Sequence, residues 1–496
     1  MPALEVLSNA VAWLPWGHAA FARAHAERKP VLLSIAAAWC HWCHEMDRTS
    51  YADPSIVAFI NSRFVPIRVD ADERPDISER YNLGGWPTTA FLTPDGMILT
   101  GGTFVPPERM AGVLAQVADA FNARGDGLSD GTDQEPGSQG AEAPIALDAL
   151  CDRIFSTFDE DHGGFGTQPK FPLVAPLHLA LDLFAETHDA RYETIVVATL
   201  DAMGWGGLYD EVDGGFFRYA TTRDWQLPHV EKMLEGNAAL LRLYLDAGGI
   251  LGMARFTERG ADALRYIQNW LADPVDGAWW GSQDADDRYY AADSVEGRRA
   301  LTAPPVGRVL FTDWNAAMVS AALQAAKVFD DDGLRQFALK SLERVLLACY
   351  KPGDGVAHYF DGEARVRGLL ADQMAMVSAS LDAFDVSDNI VYEMMAEELA
   401  HYAIRVMWDD RDGGFFDRAS GPAEQEPEIG LMRRPLKPFA LNCDASRTLR
   451  RLAVASGDHE FARIADRTVA AMAPLAAGQG PLAAHYVLAV RAAGPR

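Results

Sequence analysis

The strongest constraint on the fold is the hexapeptide Trp39-Cys40-His41-Trp42-Cys43-His44, which follows directly on the apolar run 31–38. Two cysteines at this spacing, where a buried strand gives way to a helix, admit three chemistries. One is thiol–disulfide exchange, and another is haem attachment, because C-x-x-C-H is also that signature. The third is a zinc site made of Cys40, Cys43 and His41 or His44, although no second close Cys/His pair accompanies it. A buried cysteine pair with no redox work is the plain alternative. The surrounding residues have to decide.

Those residues read as alternating strands and helices. A helix over 18–27 ends at Lys29-Pro30, and Val31-Leu32-Leu33-Ser34-Ile35 forms a short buried strand. A helical pattern covers 45–59, with Asp53-Pro54-Ser55 capping a second piece to 61, and a strand at 64–69 runs into the polar stretch 70–76. Gly84-Gly85-Trp86-Pro87-Thr88 then precedes a strand at 89–92, the turn Thr93-Pro94-Asp95-Gly96, a hairpin partner at 97–100 and a helix at 107–122. The order β-α-β-α-β-β-α, with C-x-x-C at the first strand-to-helix turn, is a thioredoxin-like pattern. It places Cys40 at a helix N-terminus, where free N–H groups and the helix dipole stabilise a thiolate. Cys43, one turn on, is placed to resolve a mixed disulfide. His41 and Trp42 are expected to tune potential and contact. Pro87, whose bond to Trp86 can be cis, is expected to shape the substrate face. Haem attachment needs dedicated machinery and a second axial ligand, so thiol chemistry is the reading carried forward.

A chain of 496 residues is too long for one ordinary domain. No apolar run reaches the roughly 18 residues of a membrane span, and no basic lead precedes an apolar segment as in a signal peptide. The expected address is therefore the cytoplasm, where structural disulfides are rare, and five cysteines argue against a disulfide framework. Cys151 and Cys349 fall on apolar helix faces and read as packing residues. Of the net charge of −26, only −3 falls in residues 1–124. So acidic a surface repels phosphate backbones and anionic lipid, which argues against nucleic-acid and membrane partners.

Residues 125–144 collapse to Gly, Asp, Ser, Gln, Glu and Ala and read as a disordered linker between a domain at 1–124 and another at 145–496. Beyond it, amphipathic helices follow one another at 145–158, 173–187, 191–203, 230–248, 256–271, 314–329, 334–349, 371–384, 391–407, 436–455 and 460–473, with no strand-rich block between them. Near copies of one turn punctuate them: Asp161-His162-Gly163-Gly164-Phe165, Asp213-Gly214-Gly215-Phe216 and Asp412-Gly413-Gly414-Phe415, with eroded forms at Asp276-Gly277-Ala278-Trp279 and Asp354-Gly355-Val356. Repeated helix pairs with Gly-turns and aromatic tips fit a closed toroid of α-hairpins whose turns at one end build a pocket. Candidate pocket residues cluster near the turns: Tyr209, Asp210, Arg218, His229, Glu231, Lys232, Asn237, Asp284, Asp286, Asp313, Asn315 and Asp372. Acids beside aromatic platforms suit a polyhydroxylated ligand, and paired carboxylates suit acid/base work on a glycosidic bond. Against this, Asp and Asn before helices are commonly caps, and Asp-Gly is common in turns.

The full set of motifs resembles the spermatogenesis-associated protein 20-like family. The resemblance is carried by Pro15-Trp16, Lys29-Pro30-Val31, the Cys-His-Trp-Cys-His core, Arg68-Val69-Asp70, Glu73-Arg74-Pro75-Asp76 and Gly84-Gly85-Trp86-Pro87-Thr88. It continues through Pro169-Lys170-Phe171-Pro172, Pro228-His229-Val230-Glu231-Lys232-Met233-Leu234, Asp284-Ala285-Asp286 and Trp314-Asn315. It implies a multidomain α/β plus all-α chain: a thioredoxin-like domain fused to a six-hairpin (α/α)6-type toroid, similar in fold to glycoside hydrolases and N-acylglucosamine 2-epimerases. Only some thirty residues separate Asp284 from Trp314, where relatives carry a longer segment, so one hairpin is expected to be trimmed.

The resulting expectation is a thiol–disulfide oxidoreductase domain tethered to a carbohydrate-type toroid. Its partners would be a protein thiol or disulfide and a sugar-like small molecule, with no cofactor and no metal. One rival places glycosidase or sugar epimerase chemistry in the toroid, with the first domain as a lid or interaction module. Another is a non-enzymatic chaperone or scaffold.

Overall fold

The computed structural model describes residues 10–124, 145–419 and 428–494. The linker expected at 125–144 lies outside the described residues. The chain divides into two compact units. One gathers the described residues to 124 together with 428–435, and the other gathers 145–419 and 436–494.

The first unit runs α1 (His18–Glu27), β1 (Val31–Ala36), α2 (His41–Arg48), α3 (Pro54–Arg63), β2 (Val65–Asp70), α4 (Pro75–Tyr81), β3 (Thr88–Leu92), β4 (Ile98–Gly102) and α5 (Pro107–Arg124). Its sheet has the order β2-β1-β3-β4, with β1 parallel to β2 and antiparallel to β3. β1 is buried from Val31 to Ile35, as its unbroken apolar run requires of a central strand. Leu32, Met46, Ile60, Phe64, Phe91 and Leu114 form the core beside the sheet. Two details differ from the sequence reading. Helix α2 starts at His41, directly behind the first cysteine, and the stretch read as a polar run to Asp76 opens α4, with Pro75 in its first turn.

Residues 428–435, which the sequence reading left in the second domain, pack in the first unit. The Tyr81 hydroxyl donates to the Gly96 carbonyl at 2.8 Å and accepts the Leu431 N–H at 2.8 Å. Burial pushes that phenol up to about 12, so it stays a donor. The Arg80 guanidinium donates to the Arg434 carbonyl at 3.0 Å. The bonds to Leu431 and Arg434 join groups 350 and 354 positions apart, and no local pattern marks them.

The second unit is a ring of helix pairs. Its helices are α6 (Leu147–Phe155), α7 (Val174–Thr187), α8 (Ala190–Gly204), α9 (Leu234–Leu251), α10 (Ala254–Tyr266), the short α11 (Asp287–Tyr290) and α12 (Val295–Arg299), and α13 (Thr312–Phe329). Then come α14 (Asp332–Cys349), α15 (Leu370–Ser387), α16 (Ile390–Met407), α17 (Phe439–Ser456), α18 (His459–Ala476) and α19 (Ala484–Arg491). Helices α7, α9, α13, α15, α17 and α19 each touch the next, and α19 touches α7, so the inner ring closes. Helices α8, α10, α14, α16 and α18 each pair with the inner helix before them, and α6 packs on α19. Among the described residues all six pairs are therefore present, and the expectation of a trimmed hairpin is corrected. The sixth pair is assembled from the two chain ends of the unit, and the short segment after Asp284 replaces only a connection.

Short strands cross the connections: β5 (Tyr219–Ala220), β6 (Pro228–His229), β7 (Lys232–Met233), β8 (Ser282–Gln283), β9 (Val306–Gly307), β10 (Leu310–Phe311), β11 (Tyr350–Lys351), β12 (Gly355–Phe360) and β13 (Ala364–Arg367). Strand β12 pairs with β10, β11 and β13, a small sheet where only helices were expected. Residues 230–233, read as the start of a helix, lie before α9, with β7 within them. Among the described residues, no helix is long and apolar enough to cross a membrane.

Candidate functional sites

The first site forms where β1 ends. Cys40 is the N-cap of α2, and its Sγ accepts the Cys43 N–H at 3.2 Å, so the helix N-terminus points at the sulfur as the spacing predicts. Cys40 and Cys43 are joined as a disulfide with their Cα atoms 5.2 Å apart. Both are buried, while Trp42 is 45% exposed beside them and packs edge-on against His41 and Phe104. The Trp86-Pro87 bond is cis, and Trp86 packs edge-on against Trp39, which brings the Pro87 loop beside the motif. The Trp39 indole donates to Asp72 at 2.5 Å. Asp70 accepts N–H bonds from Asp72 and Glu73 at the end of β2, and burial raises its pKa. Cys151, Cys349 and Cys443 are free and buried in the second unit, consistent with packing.

In the second unit, the turn repeat proves to be a fastening. At four of the five copies an aspartate N-terminal to the glycine turn closes the loop and binds a cation that also reaches a turn carbonyl. Lys170 Nζ donates to Asp159 at 2.8 Å and to Gly163 at 2.5 Å, and Lys232 Nζ donates to Asp210 and Gly214, both at 2.6 Å. Arg344 serves Asp273 and Gly277, and Lys437 serves Asp409 and Gly413. An amide from the next inner helix staples the following aromatic residue. Asn237 accepts the Phe216 N–H at 2.7 Å, Asn315 that of Trp279 at 2.8 Å and Asn442 that of Phe415 at 2.6 Å, while Gln373 serves Val356 at 3.0 Å. The glycines are required here. Gly215 has φ +81°, and a Cβ on it would collide with the Tyr266 ring.

This geometry sorts the candidates. Asp210, Lys232, Asn237 and Asn315 have their hydrogen bonds committed to the fastening. Asp210 also binds Arg298, and although burial would raise its pKa, Lys232 and Arg298 hold it below the usual carboxylate range. Tyr209 is core, with the Arg259 guanidinium 3.9 Å from its ring centre. Asp286 caps α11 by accepting the Tyr289 N–H. Asp284 is half-buried, and its N–H donates to Pro305. The turn aromatics Phe165, Phe216, Trp279 and Phe415 are buried, packed into the ring rather than presented to solvent.

Two groups remain. Phe171, Tyr219 and His229 form a stacked column with centroids 4.6 and 4.5 Å apart, and Arg218 lies 5.4 Å from the Tyr219 ring centre. His229 Nδ1 is 3.6 Å from Glu231, whose other oxygen is buried with no hydrogen-bond partner among the described residues. The second group gathers Asp313 from the first turn of α13, His358 from β12 and Asp372 from the first turn of α15. His358 Nδ1 lies 3.0 and 3.2 Å from the two Asp372 oxygens, and Asp313 accepts the Trp314 N–H at 2.9 Å. Crowding by protein pushes Asp313 up to about 7, with the Asp372 charge adding and His358 opposing. Glu235, in the first turn of α9, is open to water yet ringed by enough protein to raise its pKa, with Arg218 opposing. The Glu235 charge also adds to the raised pKa of Asp313.

Glu235 and His358 were missed. Glu235 stands two residues before Asn237, as Asp313 stands two before Asn315, so the staple repeat carried its signal. His358 sits inside an apolar strand and had none.

Together the two units define the class: a thioredoxin-like unit bearing C-x-x-C, in one chain with a toroid of the six-hairpin glycosidase and epimerase type. Residues 3–134 match the family model Thioredox_DsbH, described as a protein of unknown function, DUF255. Spermatogenesis-associated protein 20 from Rattus norvegicus is 32% identical over 314 residues, covering 57% of this chain and 40% of the rat protein. The resemblance read from the motifs thus holds, and the chain spans about two fifths of the length of the rat relative. The toroid resembles a GH76 α-mannanase from Bacteroides thetaiotaomicron (TM-score 0.51, 11% identity, 70% of this chain and 96% of that one). It also resembles cellobiose 2-epimerase from Bacillus thermoamylovorans (TM-score 0.50, 10% identity, 65% and 85%). At such identities the likeness shows the fold alone.

Proposed function

We propose that the chain exchanges thiols and disulfides at Cys40–Cys43 and receives a sugar-like ligand in its toroid. The observation that carries the first part is the Cys40 sulfur at the α2 N-terminus, accepting the Cys43 N–H. A donor and a helix dipole aimed at sulfur favour the thiolate. In the oxidising direction a substrate thiolate attacks Cys40 Sγ, the Cys40–Cys43 bond breaks, and Cys43 leaves as thiolate. A second substrate thiolate then attacks the mixed disulfide, freeing Cys40 and carrying off the substrate disulfide, so two electrons pass to the pair. The reverse sequence reduces a substrate. Trp42 supplies an exposed contact beside the sulfurs, and Pro87 shapes the surface opposite. The partner is a protein thiol or disulfide, and a cytoplasmic setting suits the three buried free thiols. The test is the Cys40 pKa with insulin reduction. A pKa well below the free-thiol value of about 8.5 with turnover is expected, and an unshifted thiol without exchange overturns the reading.

The toroid reading rests on Glu235, an open carboxyl with a raised pKa, and on the His229–Glu231 pair beside an aromatic column. Stacked rings suit the C–H faces of a polyol, and a carboxyl held protonated longer than usual suits proton donation. The names of the fold neighbours, an epimerase and a mannanase, agree with this. Reducing sugars and aryl glycosides are the probes. Turnover lost in Glu235→Gln and Glu231→Gln is expected, and turnover unchanged in both excludes these roles.

A further inference from the structure

We propose that Asp313, His358 and Asp372 form a divalent-cation site within the toroid. The three side chains come from separate elements, α13, β12 and α15, and one ligand atom from each lies within 4.8 Å of the others. His358 Nδ1 stands 3.0 and 3.2 Å from the Asp372 oxygens. That is the spacing of adjacent ligands around a small cation whose bonds are about 2.0–2.2 Å long. Asp372 is fully buried and the His358 side chain is 3% exposed, so two of the three donors are held by packing.

A comparison inside the same unit supplies the independent argument. The four turn aspartates, Asp159, Asp210, Asp273 and Asp409, each ion-pair with a lysine or arginine. Among the described residues, neither Asp313 nor Asp372 has a lysine or arginine in an ion pair, and His358 offers at most one positive charge to two carboxylates. Buried charge is costly unless paired or bound to metal. The helix N-termini that carry both acids favour negative charge, but only by a fraction of what a full counter-charge supplies. One imidazole with two carboxylates suits zinc or manganese, whose N/O preferences overlap here. Asp313 is only half-buried, leaving a coordination position for water or a ligand hydroxyl. The rival arrangement is a proton shared between His358 and Asp372.

The test uses the full chain with Cys40→Ser and Cys43→Ser, which removes thiolate binding of zinc. Mn2+ is titrated and followed by electron paramagnetic resonance, then displaced with Zn2+. The expected result is one saturable Mn2+ per chain, with affinity weakened at least ~100-fold by Asp372→Asn or His358→Gln, in keeping with the sensitivity of metal sites to their ligands. Asp286→Asn, at an acid that only caps a helix, should bind as the parent does. Because Asp372 is fully buried, Asp313→Asn provides a half-exposed variant, and far-UV circular dichroism checks that each variant is folded. No saturable Mn2+ or Zn2+ in the parent overturns the proposal, as does equal binding by Asp313→Asn and Asp286→Asn. The outcome is independent of sugar turnover.

Discussion

The two units distribute their chemistry in opposite ways. In the thioredoxin-like unit the reactive pair is local: four consecutive residues, one strand end and one helix start place Cys40 where its thiolate is stabilised. In the toroid, acids near the same repeated turns do different work. Asp210 is fastened by Lys232 and Arg298, whereas among the described residues neither Asp313 nor Glu235 has a lysine or arginine in an ion pair. A motif therefore identifies function when the chemistry needs neighbours in sequence, and fails when it needs neighbours in space.

The largest effect should be on thiol exchange. Cys40→Ser or Cys43→Ser should abolish insulin reduction and leave the denaturation midpoint of the toroid unchanged, since each unit has its own core. Residual exchange near the parent rate would break the assignment of chemistry to that pair.

Next is the division between fastened and open acids. Asp210→Ala leaves Lys232 and Arg298 buried without their shared counter-ion and should cost about 3–5 kcal/mol. Glu235→Gln should stay within about 0.5 kcal/mol. Guanidinium titration of both variants measures the contrast, and equal losses would erase it.

Acid should then unfasten the toroid. Burial alone would raise Asp159, Asp210 and Asp273, but their paired cations hold all three below the ordinary aspartate value of 3.8. Between the folded pKa and 3.8 the unfolded chain binds more protons than the folded one. Their stabilisation is therefore complete above about pH 4 and lost as pH falls through the folded pKa values. Unfolding free energy measured across that window should drop steeply, and a flat profile would show that the clamps contribute nothing.

The smallest effect on function is expected at Asp286. Removing this cap with Asp286→Ala should cost about 1 kcal/mol and leave sugar turnover unchanged. A lost turnover would return Asp286 to the pocket.

Much of the architecture was legible before any coordinates. The helix at 18–27 and the strand around Val31 are seen where apolar spacing put them, and the major helices of the toroid lie within a few residues of their patterns. Less legible was the β12 hairpin, because Val356-Ala357-His358-Tyr359 is too short to separate from a buried helix by periodicity. In the candidate site, the repeated Gly-Gly-aromatic turns pointed to a shared structural device but were read as a pocket rim. Their aromatic residues face the core, and their Asp and Asn neighbours are consumed in holding them.

The amino-acid order alone determined the thioredoxin-like pattern, the C-x-x-C at a helix start and the succession of paired helices. Each follows from short-range rules of spacing, capping and burial period. Only the tertiary structure decided that residues 428–435 complete the first unit, and that the chain ends of the toroid supply its sixth pair. It alone sorted the acids, fastening Asp210 and gathering Asp313, His358 and Asp372. The reason is that a carboxylate's role depends on which charges stand within a few ångströms of it, and here those charges come from 14 to 88 residues away.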